Sequence, residues 1–307
     1  MKLDGVLFFP VTPFGAGGGV DEGTLAKHIE AGVRAGAGGV FVACGTGEFH
    51  ALTPAEIEAC ARVAVAAVAG RVPVYAAAGG PLPVALEQAR RLDSAGVDGF
   101  LLLPPYLVAS SQRGLLDYVR AVTAATTRNV IFYQRGSAVP TPDTAAEIAR
   151  IPNVVGIKDG VGNIELMHRT VLAVRRAVGD DFQFFNGLPT AEMTVPAYRG
   201  LGVPLYSSAV FAFAPEIALA FHRAVTTTGD DGTVQALLDE FYLPLVELRD
   251  EVTGYAVALI KAGVRLRGLD VGGVRPPLVD PTAEHVERLD MLLQRGLRLA
   301  GAAGAGA

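Results

Sequence analysis

Tryptophan is absent from this chain and lysine nearly so, with only Lys2, Lys27, Lys158 and Lys261. Cysteine is limited to Cys44 and Cys60, and aromatic residues make up 7%. Neither cysteine stands in a metal-ligand spacing. Both are expected to be buried, reduced thiols of a cytosolic protein rather than a disulfide frame or a zinc site. Charged residues are only 19% and the net charge is −5. That mild acidity, without a basic stripe or interleaved aromatics, argues against a nucleic-acid partner. No apolar run is long enough to span a bilayer. The early run Gly5-Val6-Leu7-Phe8-Phe9-Pro10 is too short for a signal segment and lacks a small-residue cleavage site. A soluble, cytoplasmic protein with no membrane partner is therefore expected.

What is present is a repeating alternation. Half of the 307 residues are hydrophobic, enough for one large α/β barrel or two ordinary domains. Short β-branched runs predict strands at Val6–Phe9, Val40–Ala43, Val74–Ala77, Gly99–Leu103, Val130–Tyr133, Val154–Lys158, Phe182–Asn186 and Val203–Ser207. Amphipathic stretches between them predict helices at Glu22–Ala35, Ala55–Val68, Val84–Ala95, Gly114–Ala125, Asp143–Ala149, Ile164–Ala177, Thr190–Arg199 and Pro215–Val225. Asp21, Thr53-Pro54-Ala55-Glu56 and Thr141-Pro142 are helix starts, and Gly36 and Gly96 are helix stops. Strand and helix alternating at this spacing predict a closed (β/α)8 TIM barrel over residues 1–226. An open doubly wound sheet fits less well, since no Gly-x-Gly-x-x-Gly follows the first strand; Gly15 to Gly19 reads as a flexible loop. Beyond the barrel, residues 227–307 predict a small helical appendage packed on it. Its helices are Thr233–Arg249, kinked by Pro244, then Val257–Leu266 and Ala283–Leu299.

In such a barrel the chemistry sits at the carboxyl ends of the strands. Four ends carry reactive groups: Cys44-Gly45-Thr46-Gly47-Glu48-Phe49, Tyr133-Gln134-Arg135, Lys158, and Tyr206-Ser207-Ser208. A lysine ending a buried strand either snorkels to solvent or keeps its amine in an apolar site, where its pKa falls and it becomes a nucleophile. Neighbouring strands lie about 4.8 Å apart, so Tyr133 can face Lys158 and shuttle protons during imine formation. Each residue also has a plainer reading: Tyr133 as a core aromatic, Gly45 and Gly47 as a tight loop, Glu48 as a helix cap, Arg135 as a surface residue. Gly45 and Gly47 also bare backbone amides that can hold a carboxylate.

These residues, with Pro10-Val11-Thr12-Pro13-Phe14, Leu103-Pro104-Pro105-Tyr106, Gly156-Ile157-Lys158-Asp159 and Gly272-Gly273-Val274-Arg275-Pro276-Pro277-Leu278, resemble the dihydrodipicolinate synthase/N-acetylneuraminate lyase superfamily over nearly the whole chain. The resemblance implies that Lys158 forms the imine, Tyr133 shuttles protons with Thr46 assisting, and the Gly45–Gly47 loop holds the α-carboxylate. Gly45 and Leu107 stand where the synthases carry hydroxyls of a proton relay, and Arg135 is closer to the tyrosine than their carboxylate-binding arginine. The set is similar instead to the 5-dehydro-4-deoxyglucarate dehydratase branch. That likeness implies a decarboxylating dehydration of a keto-deoxy sugar diacid. Its distal carboxylate and hydroxyls would be met by some of Arg135, Asn186, Ser207 and Ser208. No metal or organic cofactor is implied, and a homotetramer is. The alternatives are an aldolase or synthase of the same superfamily and a catalytically silent barrel that only binds.

Overall fold

The computed structural model describes residues 2–105, 107–227 and 229–305; Tyr106 of the Pro-Pro-Tyr motif lies outside them. Eight parallel strands close on one another in chain order: β1 Leu7–Phe8, β2 Gly39–Phe41, β3 Val74–Ala78, β4 Gly99–Leu102, β5 Asn129–Gln134, β6 Val154–Asp159, β7 Gln183–Asn186 and β8 Leu205–Ser208. β8 returns to β1 through Leu7↔Ser207 and Phe8↔Ser208. The helices that follow the strands are α1 Glu22–Ala35, α2 Pro54–Val68, α3 Leu82–Ala95, α4 Gln112–Thr123, α5 Pro142–Ala149, α6 Ile164–Val178, α7 Val195–Gly200 and α8 Pro215–Thr226.

Local chemistry explains where these helices begin. Asp21 accepts from the Thr24 amide, Thr53 and Glu56 form a reciprocal capping box, and Thr141 accepts from the Thr144 amide. Each satisfies backbone donors that a helix start leaves unpaired. Strand side chains alternate between two buried layers. Leu7, Phe9, Phe41, Tyr75, Ile131 and Phe185 belong to the inner set, while Phe8, Val40, Phe100, Phe132, Ile157 and Phe184 pack outward under the helices. Inside, Phe9 stacks on Phe41 with centroids 4.6 Å apart, and Phe41 on Tyr75 at 5.0 Å.

Two expected helices are broken, each near a proline. Ahead of Pro196 the chain makes a 3-10 turn, Ala191–Thr194, and only then α7. Ahead of Pro244, α9 Asp231–Leu237 widens into a π turn, Leu238–Tyr242, before α10 Leu243–Asp250. A proline ring clashes with the carbonyl four residues back, and the wider turn relieves that contact. α11 Tyr255–Leu266 and α12 Ala283–Ala305 complete the chain, α12 packing on α8 and α11. Among the described residues no helix is long and apolar enough to cross a membrane.

Candidate active site

Strands β5 and β6 are in a register that pairs Tyr133 with Lys158 and Gln134 with Asp159. Alternation then sends Tyr133 and Lys158 into the barrel and their neighbours toward the helices. Asp159 is fully buried there. It accepts from Gln134 Nε2 at 2.7 Å, from the Val161 amide at 2.9 Å and from the Tyr198 hydroxyl. That set clamps the turn after β6 and so fixes the backbone from which Lys158 projects.

Lys158 is 6% exposed. Its Nζ lies 4.2 Å from the Phe9 ring centroid and 4.7 Å from that of Tyr133, with no hydrogen-bond acceptor among the described residues. Burial in these apolar walls pulls its pKa down to about 8; Cys44 opposes the shift and the Arg135 charge adds to it. The amine is thus easily freed of its proton, as a nucleophile requires. Tyr133 donates its hydroxyl to the Gly187 carbonyl at 2.9 Å and accepts from Arg135 Nη1 at 3.3 Å. Burial raises its pKa, so it remains a protonated donor. Gly187 leaves room for the amine: a Cβ there would lie 2.4 Å from Lys158 Cε.

The loop after β2 turns sharply, with Ala43 at φ 53° and Glu48 at φ 59°. Left-handed backbone of this kind in non-glycine residues is uncommon and gathers at functional sites. Thr12 Oγ1 donates to the Gly47 carbonyl at 2.7 Å, and the Phe49 amide to the Cys44 carbonyl at 3.1 Å. The amides of Gly45, Thr46 and Gly47 donate to no acceptor among the described residues. Consecutive free N–H groups make an anion-binding concavity.

A cavity of about 430 Å³ joins these parts. Gly45, Thr46, Tyr133, Arg135, Lys158 and Ser207 all line it, and no aspartate or glutamate does. Three other expected residues do not. Gly47 is buried under the loop, where a Cβ would meet Ala43 Cα at 2.9 Å. Asn186 faces the outer layer, donating to Thr194 Oγ1 at 2.8 Å and accepting from the Leu188 amide at 3.2 Å. Ser208 also faces outward, donating to Glu192 Oε1 at 2.5 Å. Of the four residues expected to include the distal contacts, Arg135 and Ser207 line the cavity, while Asn186 and Ser208 follow inward-facing Phe185 and Ser207 on the pleat and so point the other way.

Glu48 does more than cap a helix. Its carboxylate is 2.7 Å from Lys261 Nζ, both side chains fully buried, and also accepts the Arg275 amide at 2.8 Å. Lys261 donates in addition to the Gly273 carbonyl at 2.7 Å. Burial is the main influence lowering the Lys261 pKa, and Glu48 opposes it. Helix α11 and the Gly272–Leu278 segment thereby pin the loop after β2. Sequence reasoning missed Lys261, although a lysine inside the apolar run Leu259-Ile260-Lys261-Ala262 was a signal. Among the described residues no group of three or more His, Cys, Asp or Glu side chains could hold a metal ion.

The profile of the Dihydrodipicolinate synthetase family matches residues 2–295 of the chain. A Streptomyces coelicolor protein named "Probable 5-dehydro-4-deoxyglucarate dehydratase 1" is 58% identical, over 95% of this chain and 92% of its own. A Streptomyces griseus protein named "Probable 5-dehydro-4-deoxyglucarate dehydratase" is 56% identical, over 99% of this chain and 96% of its own. Among solved structures, YagE, a prophage protein from E. coli K12 in complex with pyruvate, matches with TM-score 0.84 at 27% identity. That match covers 96% of this chain and 99% of its own.

Proposed function

The chain belongs to the dihydrodipicolinate synthetase family, and on that premise we propose that it converts 5-dehydro-4-deoxy-D-glucarate to 2,5-dioxopentanoate, carbon dioxide and water through a lysine imine. The observation that carries this reading is the buried, weakly basic amine of Lys158 on the floor of a cavity that holds cations and no carboxylates. The 56–58% identity to proteins named as dehydratases of this acid supports the substrate.

In this reading Lys158 attacks the C5 ketone and water leaves, giving a protonated imine that acidifies C4. Loss of a C4 proton forms the enamine, whose electrons expel the C3 hydroxyl as a second water. A later tautomer carrying an electron sink in conjugation with C5 releases the C6 carboxylate as carbon dioxide, and a proton takes its place. Hydrolysis consumes one water, frees Lys158 and leaves C5 as the aldehyde. Tyr133 moves protons during imine formation, with Thr46 assisting, and the free amides of Gly45 and Thr46, which line the cavity, receive the C6 carboxylate. Arg249 of α10, Leu259 of α11 and Leu278 of the segment after α11 line the same cavity. A cytoplasmic homotetramer belongs to the proposal by family resemblance, and a light-scattering mass tests the assembly.

Product analysis tests the function. Carbon dioxide and 2,5-dioxopentanoate in equal amounts are expected from the diacid. Pyruvate as the product would favour the aldolase alternative instead.

A further inference from the structure

The cavity is walled on one side by strand ends and on the other by the C-terminal helices. Those helices supply apolar groups, Leu245, Val257, Leu259 and Ile260 among them, and a single charge, Arg249. The Arg249 side chain is 18% exposed. Its Nε and Nη2 donate to Asp250 at 2.7 and 3.1 Å, and its Nη1 to Thr190 Oγ1 at 2.9 Å. A guanidinium carries five N–H donors. Two therefore remain without a protein acceptor among the described residues, one on each terminal nitrogen. Thr190, which also lines the cavity, holds a left-handed φ of 49°. A β-branched residue adopts that conformation only where surrounding structure imposes it.

A dianionic substrate needs a second cation. Asn186 and Ser208 face away from the cavity. Arg135 stays at the imine end, its Cζ 5.9 Å from the Tyr133 ring centroid. We propose that Arg249, steadied by Thr190, receives the carboxylate at the far end of the substrate, C1, through its two free N–H groups. The guanidinium fork matches a carboxylate in a bidentate pair. It thereby makes the enzyme select diacids over the matching acids whose far end is uncharged. This inference rests on the dehydratase reading, since only there is the substrate a diacid.

The test uses 2-oxoadipate and 2-oxohexanoate, which differ only in a terminal carboxylate against a methyl group. Both 2-oxo groups accept Lys158, so borohydride trapping followed by intact mass gives a half-saturating concentration for each without turnover. The unaltered protein should half-saturate with the diacid at about 10–100-fold lower concentration, the scale of hydrogen bonds to charged groups. Arg249→Gln should bring the diacid to the level of the monoacid without moving the monoacid, and Arg249→Lys should restore part of the gap. Melting temperatures of both variants check that they fold. A gap that survives in Arg249→Gln, no gap in the unaltered protein, or equal loss for both acids overturns the role of Arg249 alone. No trapping of either acid by the unaltered protein overturns the imine reading and this inference with it.

Discussion

The amine of Lys158 lies over the face of the Tyr133 ring, 4.7 Å from its centroid, while the phenol hydroxyl is turned to the Gly187 carbonyl. The ring walls the amine and the hydroxyl stands beyond it, toward the cavity. A carbinolamine forming on Lys158 would bring its own hydroxyl toward that phenol. Tyr133→Phe keeps the wall and removes the donor. It should lower kcat by about 100-fold or more with the protein still folded. A rate near that of the unaltered enzyme would leave Tyr133 a packing residue.

The Lys158 amine must be neutral to attack. With its pKa near 8, the rate of borohydride-trapped imine formation should climb with pH through about 8 and then level off. The folded pKa is below the 10.5 of an ordinary lysine, so between about 8 and 10.5 the unfolded chain binds more protons. Stability therefore rises with pH across that window, and the buried amine destabilises the fold below it. Lys158→Met should raise the melting temperature at pH 7 while abolishing trapping. Trapping that persists in this variant would move the imine to another residue.

Glu192 is the opposite case. It is fully buried beside Ser208, its Oε2 has no partner among the described residues, and burial pushes its pKa up to about 7. The folded chain holds that proton more tightly than the unfolded chain, so stability falls as pH rises from about 4.5 to about 7 and stays lowered above. Glu192→Gln should gain more in melting temperature at pH 8 than at pH 5. An equal change at both pH values would show that Glu192 is not the group responsible.

The buried pair Lys261–Glu48 should be costly to break from one side. Lys261→Met leaves Glu48 without its counter-charge and should cost about 3–5 kcal/mol in urea unfolding. The double variant Lys261→Met/Glu48→Gln should cost less than the two single changes summed. Strict additivity would mean that the two side chains act independently.

Much of this arrangement is written in local chemistry. The helix starts at Asp21, Thr53 and Thr141 need only neighbours within a turn, and the strand–helix alternation needs only burial periodicity. Lys158 at the end of one strand and Tyr133 at the end of the strand before it could be placed side by side for the same reason. Their meeting follows from adjacency in any parallel barrel wound in chain order.

Other features had no local marker. Every strand of a parallel barrel is buried on both faces, so an apolar run does not reveal which residue points inward. The sequence alone therefore could not decide between Phe185 and Asn186, or between Ser207 and Ser208. Ring closure and register decide that, because a shift of one residue turns every side chain to the other face. Arg249 and Lys261 reach the site only because the C-terminal helices fold back over the strand ends, and no spacing in a linear chain encodes that distance. The amino-acid order determined which segments become strands and helices and where the reactive amine falls; tertiary closure alone chose the side chains that share its cavity.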